Sequence, residues 1–383
     1  MTAREPLFTR PFLLAGSAHL LHALAFYLYL SVPGFLVELG ATEPQIGAIF
    51  GLTAATAIAL RPPLGRVMDT RGRRVVALAG GALSTLVCAA YLTVHALGPW
   101  IVAIRVVHGV SEAMLFASLF AIAADLVPPS RRIEGIAWFG VTGLLPMSLA
   151  GVFADWILQR GSFALLFAVS SALSAIALAL TVPIRDVPRA HDAAPSRGIV
   201  AAFLQPDLRP LWMLGLVFAA GLSGPFTFLK TFVMTTGIGS VGAFFGAYGA
   251  AATVVRALFG KLPERVGPKR VLVPALAAQA VGMIVLASAT STTAVVVAGV
   301  FAGLGHGFVF PILLGMVVTR ARAEERGAAL SIFTALFDGG TLVGAPALGW
   351  VVKEAGYPTT FAASAAIVAA GAVAFVAWDR GRA

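Results

Sequence analysis

Arg105, His108 and Glu112 stand at i, i+3 and i+7, a spacing that places all three on one face if the run is helical. A guanidinium, an imidazole and a carboxylate on one stripe can hold an anion, pass protons, or neutralise one another as a buried pair that only fixes packing. His19, His22, Phe26 and Tyr29 repeat the pattern at i, i+3, i+7 and i+10. Such a polar and aromatic stripe suits a ligand cavity; the plainer alternative is two neutral histidines bonded to a neighbouring helix. His306 lies among Gly303, Gly305 and Gly307, which leaves its imidazole as the main polar group there. Asp338 precedes Gly339 and Gly340 deep in another apolar run. A carboxyl so placed is a natural proton carrier, with His306, His22 or His108 as partners; the alternative is a packing hydrogen bond. The two span 1 histidines have no carboxylate or cysteine beside them in that span, so no metal site is expected. The single cysteine, Cys88, excludes disulfides within one chain. Nucleotide loops, nucleophile motifs and metal clusters do not stand out, so neither an enzyme nor a cofactor is expected.

The elements that must position these residues follow from composition. Of 383 residues, 59% are hydrophobic and 11% charged, and mean hydropathy is +0.91. A chain of this kind needs lipid around it. Its net charge of +10 does not point to nucleic acid, because the basic residues sit in short loops between apolar runs and not on a soluble face. Twelve runs are long enough to cross about 30 Å of hydrocarbon as helices: 11–32, 44–64, 75–94, 98–124, 134–158, 163–184, 210–232, 240–260, 271–289, 293–318, 327–351 and 357–378. They are numbered here as spans 1 to 12, and the first reads as a span and not as a leader. Spans 3, 6, 9 and 12 carry no ionisable residue, which suits helices facing lipid. Lys230, near the end of span 7, reads as a side chain that snorkels to the interface.

Arginines and lysines crowd one set of loops, whereas the other set holds Arg160 and Lys353. The asymmetry predicts an inner-membrane protein with both termini in the cytoplasm. The longest connection, rich in proline and charge, predicts an N-terminal six-helix bundle over 1–184, a cytoplasmic linker over 185–209 and a C-terminal bundle over 210–383. Pro146 in span 5 and Pro346 in span 11 allow bending in both halves.

The halves repeat. Arg61, Gly65, Asp69, Gly72 and Arg74 recur 195 positions later as Arg256, Gly260, Glu264, Gly267 and Lys269. The first copy, from Gly65 through Asp69 and Gly72 to Arg73 and Arg74, resembles the signature loop between helices 2 and 3 of the major facilitator superfamily, and the second its degenerate repeat. Arg105, Gly109 and Ala113 resemble that superfamily's span 4 element. The resemblance implies an all-α membrane protein of twelve transmembrane helices in two pseudo-symmetric six-helix bundles. It implies a secondary transporter of a small organic molecule, monomeric, working by alternating access around a cavity lined by spans 1, 4, 7 and 10, with span 11 contributing Asp338. Proton-coupled efflux is the expected mode, with proton-coupled uptake of a small organic anion, paired by Arg105, as the alternative and a non-transporting receptor as a third. It also implies a conformational latch at Asp69, supported by Gly65, Gly72, Arg73 and Arg74, near the start of helix 11. Arg61, Arg256, Gly260 and Glu264 read as further latch elements.

Overall fold

The computed structural model of the chain describes residues 6–128, 131–186 and 199–379, apart from the side chains of Asp69, Arg132, Ile133, Ala137 and Ala323. The described residues are overwhelmingly helical, as expected where backbone must satisfy its own hydrogen bonds in lipid. Span 1 comprises α1 (Arg10–Leu28), a 3-10 turn (Tyr29–Ser31) and α2 (Val32–Glu38). Then follow α3 (Glu43–Arg71), α4 (Arg73–Ala90), α5 (Pro99–Leu126), α6 (Arg132–Arg160) and α7 (Phe163–Thr181). The second half has a short α8 (Ile199–Phe203), then α9 (Arg209–Thr236), α10 (Val241–Phe259), α11 (Leu262–Val266), α12 (Pro268–Ala287), α13 (Thr292–Arg320) and α14 (Arg326–Trp378). α14 holds spans 11 and 12, which meet at Gly356 (φ 80°, ψ 174°) without the intervening loop that the sequence predicts. Residues 187–198 of the expected linker, the side chain of Asp69 and the chain's last four residues lie outside the described residues.

In the first bundle α1 packs on α6 and α7, and α4 on α5 and α7; in the second, α9 packs on α14, and α13 on α10 and α12. The bundles meet along α3 with α14, α6 with α10, and α2 with α9. Lipid gives helices little hydrophobic reason to associate, so close approach through small residues has to hold this seam. Away from the basic loops it is tight. Gly47 lies against the Ala345 carbonyl and the Pro346 backbone, and a methyl at Gly349 would sit 2.6 Å from the Glu43 carbonyl oxygen. Asp155 accepts a 2.6 Å hydrogen bond from the Gly242 N–H at the start of α10, where a helix favours negative charge. The Lys230 stem packs over Gly34 of α2. Toward the basic loops the seam loosens: Gly65 has open space where a side chain would go, and Pro62, Pro63 and Arg66 are exposed.

Gly47→Leu is therefore expected to wedge the tight end apart. Spin labels on Val37 and Met234 should move apart in pulsed EPR; an unchanged distance distribution would show that this contact does not hold the seam.

The repeat is visible in the backbone. Gly72 (φ 91°) joins α3 to α4 and Gly267 (φ 97°) joins α11 to α12, in a region of φ that disfavours other residues. Around each glycine the basic residues brace their own half. Arg73 pairs with Asp125 at 2.6 Å and donates to the Ala121 carbonyl on α5. The Arg74 N–H donates to Asp186 at 2.9 Å and its guanidinium to the Val182 carbonyl at 2.8 Å, beyond the end of α7. In the second half Lys269 (2.9 Å) and Arg320 (2.8 Å) share Asp379. Arg320 falls 195 positions after Asp125, so the second brace has a cation where the first has an acid. Arg73 and Arg74, expected to support a clamp against helix 11, here tie helices of the first bundle together. Glu264 is exposed in α11, and Gly260 ends α10 with its N–H bonded to the Arg256 carbonyl.

Burial pushes the Asp379 carboxyl up, but the hydrogen bonds and charges of Arg320 and Lys269 outweigh it and hold the group below its usual range. A depressed carboxyl contributes stability above its unfolded pKa of about 4, and loses it as pH falls through the folded value. Asp379→Asn should thus destabilise the protein by roughly 1–3 kcal/mol at pH 7. Thermal unfolding checks it: the gap to wild type should shrink below about pH 4, and a gap independent of pH rules out the carboxylate as its source.

Candidate functional site

The α5 stripe and the α1 stripe converge. Glu112 lies between two imidazoles, His22 Nε2 at 3.2 Å from α1 and His108 Nε2 at 3.6 Å from its own helix. The other nitrogen of His108 meets the Tyr91 hydroxyl at 3.2 Å, and Arg105 donates to the same hydroxyl at 3.4 Å. The result is a polar chain from His22 through Glu112, His108 and Tyr91 to Arg105, all but Glu112 at most 5% exposed.

Several expected pairings differ. Glu112 takes the two histidines as partners and not Arg105, whose guanidinium instead covers the Phe50 ring at 4.5 Å. Arg105 has no carboxylate within ion-pair distance among the described residues. The Nδ1 of His19 meets the Thr142 hydroxyl at 2.7 Å and its ring stacks on Phe139 at 4.6 Å. Phe26 remains partly exposed and turns its edge toward His108 at 6.4 Å.

In the second half His306 bonds to the Tyr248 hydroxyl and is ringed by Phe218 at 5.7 Å and Phe310 at 6.1 Å. Arg256 donates from Nε to the Gly307 carbonyl at 2.9 Å. Asp338 meets none of the expected histidines. It forms an ion pair with Arg61, which also donates to Thr334 at 2.9 Å. This pair crosses from α3 to α14, so it joins the two bundles near the point where the tight seam ends. Arg61 had been expected in the latch and Asp338 in coupling; the structure puts them in one contact.

Tyr91, Tyr248 and the acids Asp125, Asp186 and Asp379 escaped the sequence reading. Tyr91 lies at the end of span 3, set aside because it carries no charge, yet a buried hydroxyl needs a partner and His108 and Arg105 supply it. The acids had a legible signal: each ends a span that abuts a basic turn.

A profile of the Major Facilitator Superfamily matches residues 15–265 and 236–382. An uncharacterized MFS-type transporter of Burkholderia mallei (strain SAVP1) is 26% identical over 349 residues, covering 89% of this chain and 84% of the relative. YhhS of Escherichia coli (strain K12), also an uncharacterized MFS-type transporter, is 25% identical over 353 residues, covering 88% and 84%. Among solved structures, the nucleoside transporter NupG superposes with TM-score 0.79 at 16% identity over 98% of this chain and 100% of that one. The human organic anion transporter MFSD10 gives TM-score 0.73 at 18% identity over 97% and 100%. A bacterial homologue of the lysosomal transporter Spinster, inward-facing and occupied, gives 0.80 at 16% over 99% and 98%. At these identities the structures speak for the fold, and the profile for the family. Twelve apolar spans in two repeated bundles, the glycine-centred basic turn in both, and a profile covering nearly the whole chain place this protein in the major facilitator superfamily.

Proposed function

We propose that the chain is a proton-coupled secondary transporter of a small organic molecule, and not an enzyme, and that Glu112 is its proton carrier. One observation carries the reading: a partly buried carboxylate held between His22 and His108, on the two helices expected to line the cavity. In this reading the protein is a monomer of the cytoplasmic membrane, its basic loops and termini face the cytoplasm, and the bundles 1–184 and 210–383 rock about a linker at 185–209. The tight seam then seals the outer side. Export by antiport, the mode expected from the resemblance, requires substrate and proton to compete at the triad.

Arg105 and Arg256, both without a carboxylate partner among the described residues, favour a second reading, uptake of an organic anion by symport. A proton added to the triad strengthens anion binding and the anion strengthens proton binding, so the two travel together. MFSD10, whose fold this chain shares, is an organic anion transporter, which supports this reading by analogy.

Proteoliposomes carrying the purified protein test both. Under an imposed pH gradient at least one compound of a metabolite and drug panel should be concentrated, and a protonophore should collapse it. Accumulation on the side from which protons leave means antiport, and accumulation with the protons means symport. Flux indifferent to the protonophore refutes proton coupling.

A further inference from the structure

We infer that Arg256 anchors an anionic group of the transported molecule and that this group is borne on an apolar, ring-sized body; the inference rests on the transporter reading above and assigns its substrate class. The argument starts from the repeat. Arg61 and Arg256 are equivalent residues, 195 positions apart, but their surroundings are not equivalent. Arg61 has Asp338 and Thr334. The position 195 before Asp338 is Gly143, so the acid that would answer Arg256 is missing from the first half. Arg256 uses Nε on the Gly307 carbonyl, and its two terminal nitrogens have no hydrogen-bond partner among the described residues. A guanidinium half-buried in a membrane protein without a counter-charge is costly unless something else supplies one.

Its position fits a substrate. Side chains on a helix lean toward the helix N-terminus, which for α10 points away from the basic loops and toward the middle of the molecule. The bond to Gly307, the residue after His306, carries the guanidinium to the level of the His306 and Tyr248 contact. α10 itself packs on α6 of the opposite bundle, so Arg256 stands on a helix of the seam between the halves. The wall beside it is aromatic: Phe218 and Phe310 flank His306, and Phe337 sets its ring against Phe310 at 5.2 Å. Two free guanidinium nitrogens match a carboxylate in bidentate fashion, and the aromatic wall matches a flat apolar body. Arg105 is the weaker candidate, since it is almost fully buried, bonded to Tyr91 and covered by Phe50.

The test uses the purified full chain in lipid nanodiscs and measures thermal unfolding with acetate, benzoate, phenylacetate and indole-3-acetate against the corresponding neutral amides. The aromatic carboxylates should raise the midpoint and their amides should not, and acetate should act more weakly than benzoate. Arg256→Gln should weaken the benzoate response at least about tenfold, the scale of a lost charged hydrogen bond. Arg256→Lys, which keeps the charge and loses the fork, should fall between. If the glutamine variant does not fold, the lysine variant and the contrast of carboxylate with amide on wild type decide the matter. Equal responses to acids and amides, no response to any acid, or full benzoate binding in Arg256→Gln overturns the proposal. Flux in proteoliposomes separates the layers: transport of a neutral compound alone refutes the anion site and leaves the transporter reading, whereas benzoate binding without any flux refutes transport and leaves the site.

Discussion

Reversing both charges of the pair between α3 and α14, Arg61→Asp together with Asp338→Arg, is expected to restore most of the transport that either reversal alone abolishes. The pair crosses the bundle seam and stands where close packing gives way to open space. An ion pair made in one arrangement of the halves and broken in the other biases their equilibrium by its own free energy. Each side chain is about a quarter exposed, so water screens the pair in part. A contribution of roughly 1–2 kcal/mol changes the ratio of two states about 5- to 30-fold. Each single reversal sets like charges against each other and should do more than remove the bias. The measurement is initial flux in proteoliposomes for wild type, both singles and the double. A double variant as inactive as the singles, with Asp338→Asn retaining exchange but losing proton-driven accumulation, would instead make Asp338 the proton carrier that its sequence position suggests, and the lock would be discarded.

Glu112→Gln should separate coupling from movement. Glutamine keeps the size of the side chain and one acceptor but cannot take up or release a proton, so the His22 and His108 partners lose the group that links them. Proton-driven accumulation should fall about 5- to 150-fold, the range of ordinary coupling free energies, while exchange of labelled for unlabelled substrate persists. Accumulation at the wild-type level under a pH gradient alone would remove Glu112 from the mechanism. Loss of exchange together with accumulation would make it a substrate contact or a structural residue instead. His22→Gln serves as the graded comparison: it leaves His108 beside the carboxylate and is expected to weaken coupling less.

What the sequence could tell about this molecule depended on range. Span positions were legible because a crossing helix announces itself in twenty consecutive residues, and the repeat was legible because two glycines with positive φ keep their spacing from the same basic neighbours. The convergence of His22 with Glu112 was half legible. Each stripe could be seen on its own helix, but nothing local shows which stripe faces which. Partners at long range were misjudged for the same reason. Asp338 was matched by depth to histidines, and depth along a helix says nothing of azimuth; the structure turns it toward Arg61. Neutral hydroxyls such as Tyr91 were passed over because a search for charges does not register groups that satisfy charges.

In evolutionary terms the unequal surroundings of Arg61 and Arg256 describe a division of labour between copies. A duplicated half begins with two of every residue and needs only one to hold the halves together. With Asp338 present to engage Arg61 and glycine at the matching place, Gly143, the second arginine has no acid to pair with across the seam. Selection for a new cargo can then act around Arg256, through Phe218, Phe310 or Tyr248, without touching the contact between Arg61 and Asp338. A relative with an acid at the place of Gly143 would have spent that freedom, and its cargo would be expected to lack a negative charge.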